Sequence, residues 1–207
     1  MFTEDQVNEA ITEMKQPDVK SWELFSEVVN FKVYRRPVSN SPLKESKVLG
    51  TYSDLPSRYL VRAYTDYEFR KTWDSNMVGW KALPNERLHF VAKFPWPQSP
   101  RDYVYEQKVK EFKDGVIAVH GKSVQDASAP ATSGVVRVDD FRQDVVIQPT
   151  QDGQGCNVWF GYHGDPKASV HVVRCVCVSV CLCVCVEPFE SCLVATVRSP
   201  REGKCIS

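Results

Sequence analysis

No cysteine occurs among the first 155 of the 207 residues, and seven of the eight in the chain fall after residue 174. A disulfide framework spreads its bridges through the fold it staples, so this distribution excludes one for the body of the protein. Excess charge is missing as well, since 26 Lys and Arg balance 26 Asp and Glu. Without a net positive field nothing gathers a polyanion, which argues against nucleic acid as a partner. No stretch approaches the roughly 20 apolar residues of a membrane-spanning helix. The opening MFTEDQVNEAITEM has carboxylates where a secretory signal needs a basic flank and an apolar run, so a cytoplasmic location is expected. A phosphate-binding glycine loop, a GxSxG elbow and HExxH are all lacking, and His89, His120, His163 and His171 are scattered. A lone strand histidine is more often structural than catalytic, so no enzymatic activity is expected.

What is present reads as one sizeable α+β domain. Thr3 with Gln6 forms a capping-box pattern, and Val7, Ala10, Ile11 and Met14 follow at helical spacing until Pro17. The runs FKVYRRPV and SKVLGTYS, separated by a loop, read as paired strands. In the next segment Asp54 is a plausible N-cap, and Leu60, Ala63 and Tyr64 share one helical face. A second short helix is expected to hold Arg70 to Asp74. Thereafter ERLHFVAKFP, RDYVYEQKVKEF, GVIAVHGKSV, GVVRVDDF, DVVIQPT and CNVWFGYH read as successive antiparallel strands of one curved sheet.

Alternation assigns an inward face to that sheet. Leu88, Phe90, Ala92 and Phe94 share one side of their strand, and Tyr103, Tyr105 and Val109 share one side of the next. Such a face suits a packed core or an oily ligand. The best polar constellation is YEFRKTWDSN, where Arg70 and Asp74 stand four apart on a helix, so that the carboxylate can orient the guanidinium. Two readings stay open: a surface ion pair worth little, or an arginine at the edge of an apolar cavity awaiting a phosphate.

YEFRKTWDSN, then KFPWPQSPRDYVY, then SGVVRV, in this order and spacing, resemble the START family of lipid-transfer domains, most closely its phosphatidylcholine-transfer branch. The resemblance runs from about Phe2 to about Pro166. It implies a helix-grip fold, a curved antiparallel sheet around a lipid cavity that a C-terminal helix closes, and transfer of a phospholipid between membranes without catalysis. Arg70 then matches the family's phosphate-binding arginine and Asp74 its ion-pair partner. Phe90, Tyr103 and Phe141 fall on the positions whose aromatic faces hold the choline ammonium. Tyr103 keeps the family's residue type, whereas Phe90 and Phe141 stand in place of tryptophan and tyrosine, and phenylalanine offers a cation a weaker face than tryptophan. Ordinary core packing is the competing reading for both. Strict alternation puts Phe141 on the face of Arg137 and Asp139, so a cavity position requires a bulge or a strand end. A bound phospholipid with no further cofactor, transient contact with membrane surfaces and a monomeric state are expected.

The residues after 166 read differently. RCVCVSVCLCVCV, 174 to 186, alternates cysteine with valine where the family has a long amphipathic helix. Its thiolates are close enough to share soft metal ions, yet the segment lacks the lysine- and serine-rich character of metallothionein-like chains. A GT dinucleotide repeat read in frame encodes Val-Cys-Val-Cys, so intron read-through, an alternative terminal exon or a gene-model error is the preferred origin. Residues 1–166 are thus expected to form the lipid-binding domain, incomplete at its C-terminal end, and 167–207 a tail foreign to the family with the usual helix missing or replaced. A domain left open in this way has an alternative use, as a transfer-inactive module whose concave face binds a protein or membrane.

Overall fold

The computed structural model describes residues 2–28, 30–41, 43–94 and 96–167; the Cys/Val-rich tail lies outside them. The N-terminal helix α1 spans Glu4–Lys15, with both reciprocal bonds of the Thr3/Gln6 capping box formed. Three strands follow, β1 (Glu23–Val28), β2 (Phe31–Pro37) and β3 (Lys44–Tyr52), and then two short helices, α2 (Ser57–Thr65) and α3 (Tyr67–Arg70). The remaining strands are β4 (Met77–Leu83), β5 (Arg87–Ala92), β6 (Arg101–Glu111), β7 (Ile117–Ser123), β8 (Val136–Val138), β9 (Phe141–Pro149) and β10 (Cys156–Gly164).

One curved sheet runs β1-β2-β3-β10-β9-β7-β6-β5-β4, antiparallel at every step, with the short β8 lying parallel beside β6. The join of β3 to β10, with Val48 opposite Phe160, ties the start of the domain to its end. The central strands are buried on both faces, and alternation sorts their side chains between two cores. Val145 and Ile147 face the main core with Leu60, Ala63 and Tyr64 of α2. Val146 between them faces the opposite side, where Val7 and Ala10 of α1 pack with Val116 and Ala118. The two helices therefore cover opposite faces, and the large aromatic core lies on the concave side with α2 and α3.

Several expectations change in detail. Asp54 does not cap α2: Pro56 holds the N-cap position and no side chain bonds there. The second helix ends at Arg70 rather than Asp74, and Asp66 caps it by accepting from the amide of Phe69. Val109 does not line the inward face, being 49% exposed, because β6 outruns its cover beyond Gln107. The first half of β6 is instead buried on both sides, with Val104 under Leu83 and Ala129. Strands β1 and β4 are the edges of the sheet, where weak alternation hides them: in β4, Val78, Lys81 and Ala82 are all exposed.

Candidate functional site

Arg70 closes α3 with its side chain turned into the concave core. The turn after it brings Asp74 back, with the Asp74 amide donating to the Arg70 carbonyl at 2.9 Å. The four-residue spacing of a helix thus survives although the helix has ended. Arg70 Nε donates to Asp74 Oδ2 at 2.8 Å, and Asp74 Oδ1 accepts from the amide of Asn76 at 3.0 Å. Both members are buried, Arg70 at 9% and Asp74 at 4% exposure, so the surface-pair reading gives way. Burial works against the Arg70 charge, but the Asp74 carboxylate outweighs it and holds the guanidinium firmly protonated.

A guanidinium carries five N–H donors, and this one uses only Nε in a hydrogen bond. Its two terminal nitrogens have no acceptor among the described residues. Instead the guanidinium lies over the Phe90 ring, Cζ to centroid 4.8 Å, and near Trp73 at 5.7 Å. An anion beside it would meet four donors with little competition from water.

Phe90, Tyr103 and Phe141 come together from β5, β6 and the start of β9. The Phe90 and Tyr103 centroids are 6.2 Å apart, and Tyr103 meets Phe141 edge-on at 5.4 Å. Phe141 reaches this side because it is the first residue of β9: the chain leaves β8 at Val138, and residues 139 and 140 break the alternation. It also contacts Tyr105 at 5.4 Å and Tyr162 at 5.9 Å. All five expected site residues thus line one region, with Arg70 and Asp74 at the Phe90 end of the ring cluster.

Tyr67 and Tyr105 belong to the same region, and motif reading alone passed over their role. Tyr67 is three residues before Arg70, and Tyr105 shares the inward face of β6 with Tyr103. Their hydroxyls hydrogen-bond to each other. Burial pushes both hydroxyls to higher pKa, with the Arg70 charge opposing, so both stay protonated at neutral pH. On the far side of the sheet Asp102 takes two bonds from Arg137, at 3.0 and 2.7 Å, and one contact from His89 at 2.8 Å, which fixes β8 to β6. Among the described residues no three His, Cys, Asp or Glu side chains converge as metal ligands, and no helix is long and apolar enough to cross a membrane.

Comparison with known proteins gives these positions a context. The START domain model matches residues 3–182. StAR-related lipid transfer protein 7, mitochondrial, from Mus musculus is 29% identical over 202 residues, covering 93% of this chain and 52% of its own. The chain therefore spans about half the length of that relative. Phosphatidylcholine transfer protein from Bos taurus is 32% identical over 178 residues, covering 82% of this chain and 83% of its own. Among solved structures, human StAR-related lipid transfer protein 5 superposes with a TM-score of 0.74 at 18% identity, covering 94% of this chain and 96% of its own.

Proposed function

The chain belongs to the START domain family, and from that premise we propose that it binds one phospholipid on its concave face, phosphatidylcholine by preference, and carries it between membranes without changing it chemically. The observation that supports this most is the Arg70 guanidinium, nine-tenths buried, braced by Asp74 and left with unspent donors. Burying a phosphodiester is costly unless its charge and lone pairs are met, and this group meets both. The rings of Tyr103, Phe90 and Phe141 supply apolar surface and π faces for the quaternary ammonium and the adjoining glycerol. Tyr103 is the strongest cage member, because Phe90 already gives one face to Arg70. The protein acts as a monomer in transient contact with the donor and acceptor surfaces.

Transfer of fluorescent phosphatidylcholine between vesicles tests this. The wild-type chain should accelerate transfer and return the lipid chemically intact, and Arg70→Gln should lower the rate at least about tenfold, the worth of a charged hydrogen-bonded contact. Equal rates for the two proteins, or products of lipid cleavage, would contradict it.

A further inference from the structure

The two edges of the sheet are guarded differently. An edge strand exposes unpaired main-chain groups, which charged side chains or bulges ordinarily protect. Strand β1 carries Glu23 and Glu27, paired with Lys44 and Lys32, and a bulge between Leu24 and Ser26. Strand β4 has its bulge only at the start, and residues 79–83 run in regular register along β5, from Gly79 opposite Val91 to Leu83 opposite Arg87. Lys81 is the one charged residue of β4, whereas Val78, at 54%, and Ala82 are exposed apolar positions. Among the described residues no strand pairs with the outer side of β4.

A groove of about 520 Å³ lies along this edge, between β4 and β5 on one side and α3 on the other. Trp80 and Ala82 of β4 and Leu88 of β5 form its apolar floor, and Trp80 rests against Tyr67 of α3 with ring centroids 5.1 Å apart. The rim is acidic. Asp66, Glu68 and Glu86 stand on it with a single cation, Arg87, whose Nη1 donates to Asp126 at 3.0 Å. Glu68 accepts from Trp80 Nε1 at 3.1 Å, which holds one carboxylate beside the floor. Asp66 and Glu68 pair with the half-exposed cations Arg62 and Lys71, contacts of the kind worth little. The Glu86 carboxylate has no partner among the described residues.

These features select one occupant. Bare main-chain groups beside an apolar floor suit a further strand, which adds at the edge and sends alternate side chains into the groove. A second copy of this chain would bring its own carboxylates against these, and an anionic membrane surface would be repelled by the same rim. We propose that residues 79–83 and this groove dock an extended basic segment of another protein, whose apolar side chains cover Trp80 and Leu88 and whose Lys or Arg side chains pair with Glu68 and Glu86. The inference does not depend on which lipid the concave face holds.

The test uses the full chain and the heptapeptide acetyl-Arg-Thr-Val-Thr-Leu-Thr-Arg-amide, whose odd positions share one face as a strand, beside a counterpart with both Arg replaced by Glu. Calorimetric titration should show saturable binding of the first peptide, and amide hydrogen exchange should slow across β4 when it binds. The Glu counterpart should bind at least about tenfold more weakly, since attractions at the rim become repulsions. Glu86→Lys changes an exposed side chain and should weaken the Arg peptide about threefold or more at an unchanged Tm. No binding, equal binding of the two peptides, an unaffected Glu86→Lys chain, or protection that falls outside β4 would each overturn the inference. So would β4 amides already protected in a peptide-free chain that sediments as a dimer, which would assign the edge to a second copy. Protection of β4 by phosphatidylcholine vesicles alone would assign it to a membrane and overturn the inference as well.

Discussion

Asp74→Asn keeps the size of the side chain and removes its charge, leaving Arg70 buried beside Phe90 without a counter-ion. The pair is closed to solvent on both sides, with side-chain exposures of 11% and 3%. Removing one partner of such a pair costs about 3–5 kcal/mol, because the other charge stays desolvated. The Phe90 face and Trp73 remain beside the guanidinium, which favours the lower end, about 3 kcal/mol. For a domain of this size that corresponds to a fall in Tm of roughly 6–12 °C. Arg62 and Asp66 provide the control, an ion pair of the same spacing with side-chain exposures of 55% and 36%. Arg62→Gln should cost under about 1 kcal/mol. Thermal and urea unfolding followed by circular dichroism measure both variants. Saturating phosphatidylcholine should recover part of the Asp74→Asn loss, since its phosphate brings a negative charge to the stranded guanidinium. Replacing the pair by Arg70→Met with Asp74→Leu should regain stability and bind no phospholipid. An Asp74→Asn loss no greater than that of Arg62→Gln would refute the buried-pair reasoning.

Two further outcomes test other parts of the molecule. Burial opposes the Asp102 charge, but its bonds from Arg137 and His89 outweigh burial and hold the carboxyl below its ordinary value. A carboxyl with a lowered folded-state pKa stabilises the fold fully above the unfolded value near about 4, and that stability is lost as pH falls through the folded value. Tm should therefore drop below about pH 4 in the wild type, and the drop should be shallower in Asp102→Asn; parallel curves would count against the network. Arg101 is buried and donates to the carbonyls of Pro166 at 2.9 Å and Lys167 at 3.0 Å and to the Gln98 side chain at 2.9 Å. Arg101→Met should leave those acceptors unpaired, free the 96–100 loop and speed limited proteolysis there, with unchanged cleavage as the contrary result.

The parts of this molecule that were legible in its sequence are those governed by local periodicity. The capping box of α1, the Leu60, Ala63 and Tyr64 face of α2 and the alternation of Phe90 with Ala92 and Tyr103 with Tyr105 all stand in the structure. The spacing of Arg70 and Asp74 identified the pair but not its burial, because burial depends on rings delivered from β5, β6 and β9. Phe141 was ambiguous for a related reason: periodicity carried through residues 139 and 140 ignores the break between β8 and β9. Among the described residues the edge strands β1 and β4 pair on one side only, so their sequences are under weak demand to alternate. The Tyr67–Tyr105 hydrogen bond escaped notice because its partners stand 38 residues apart in the sequence. Resemblance supplied the ligand class, and the structure supplied the donor inventory that a phosphate would satisfy.

The most direct measurement is native mass spectrometry of the full chain after exposure to phosphatidylcholine vesicles. A phospholipid seated on Arg70 predicts one retained lipid per wild-type chain and none on a folded Arg70→Gln chain. Retention of the same lipid at the same stoichiometry by both proteins, or by neither, would contradict that seat.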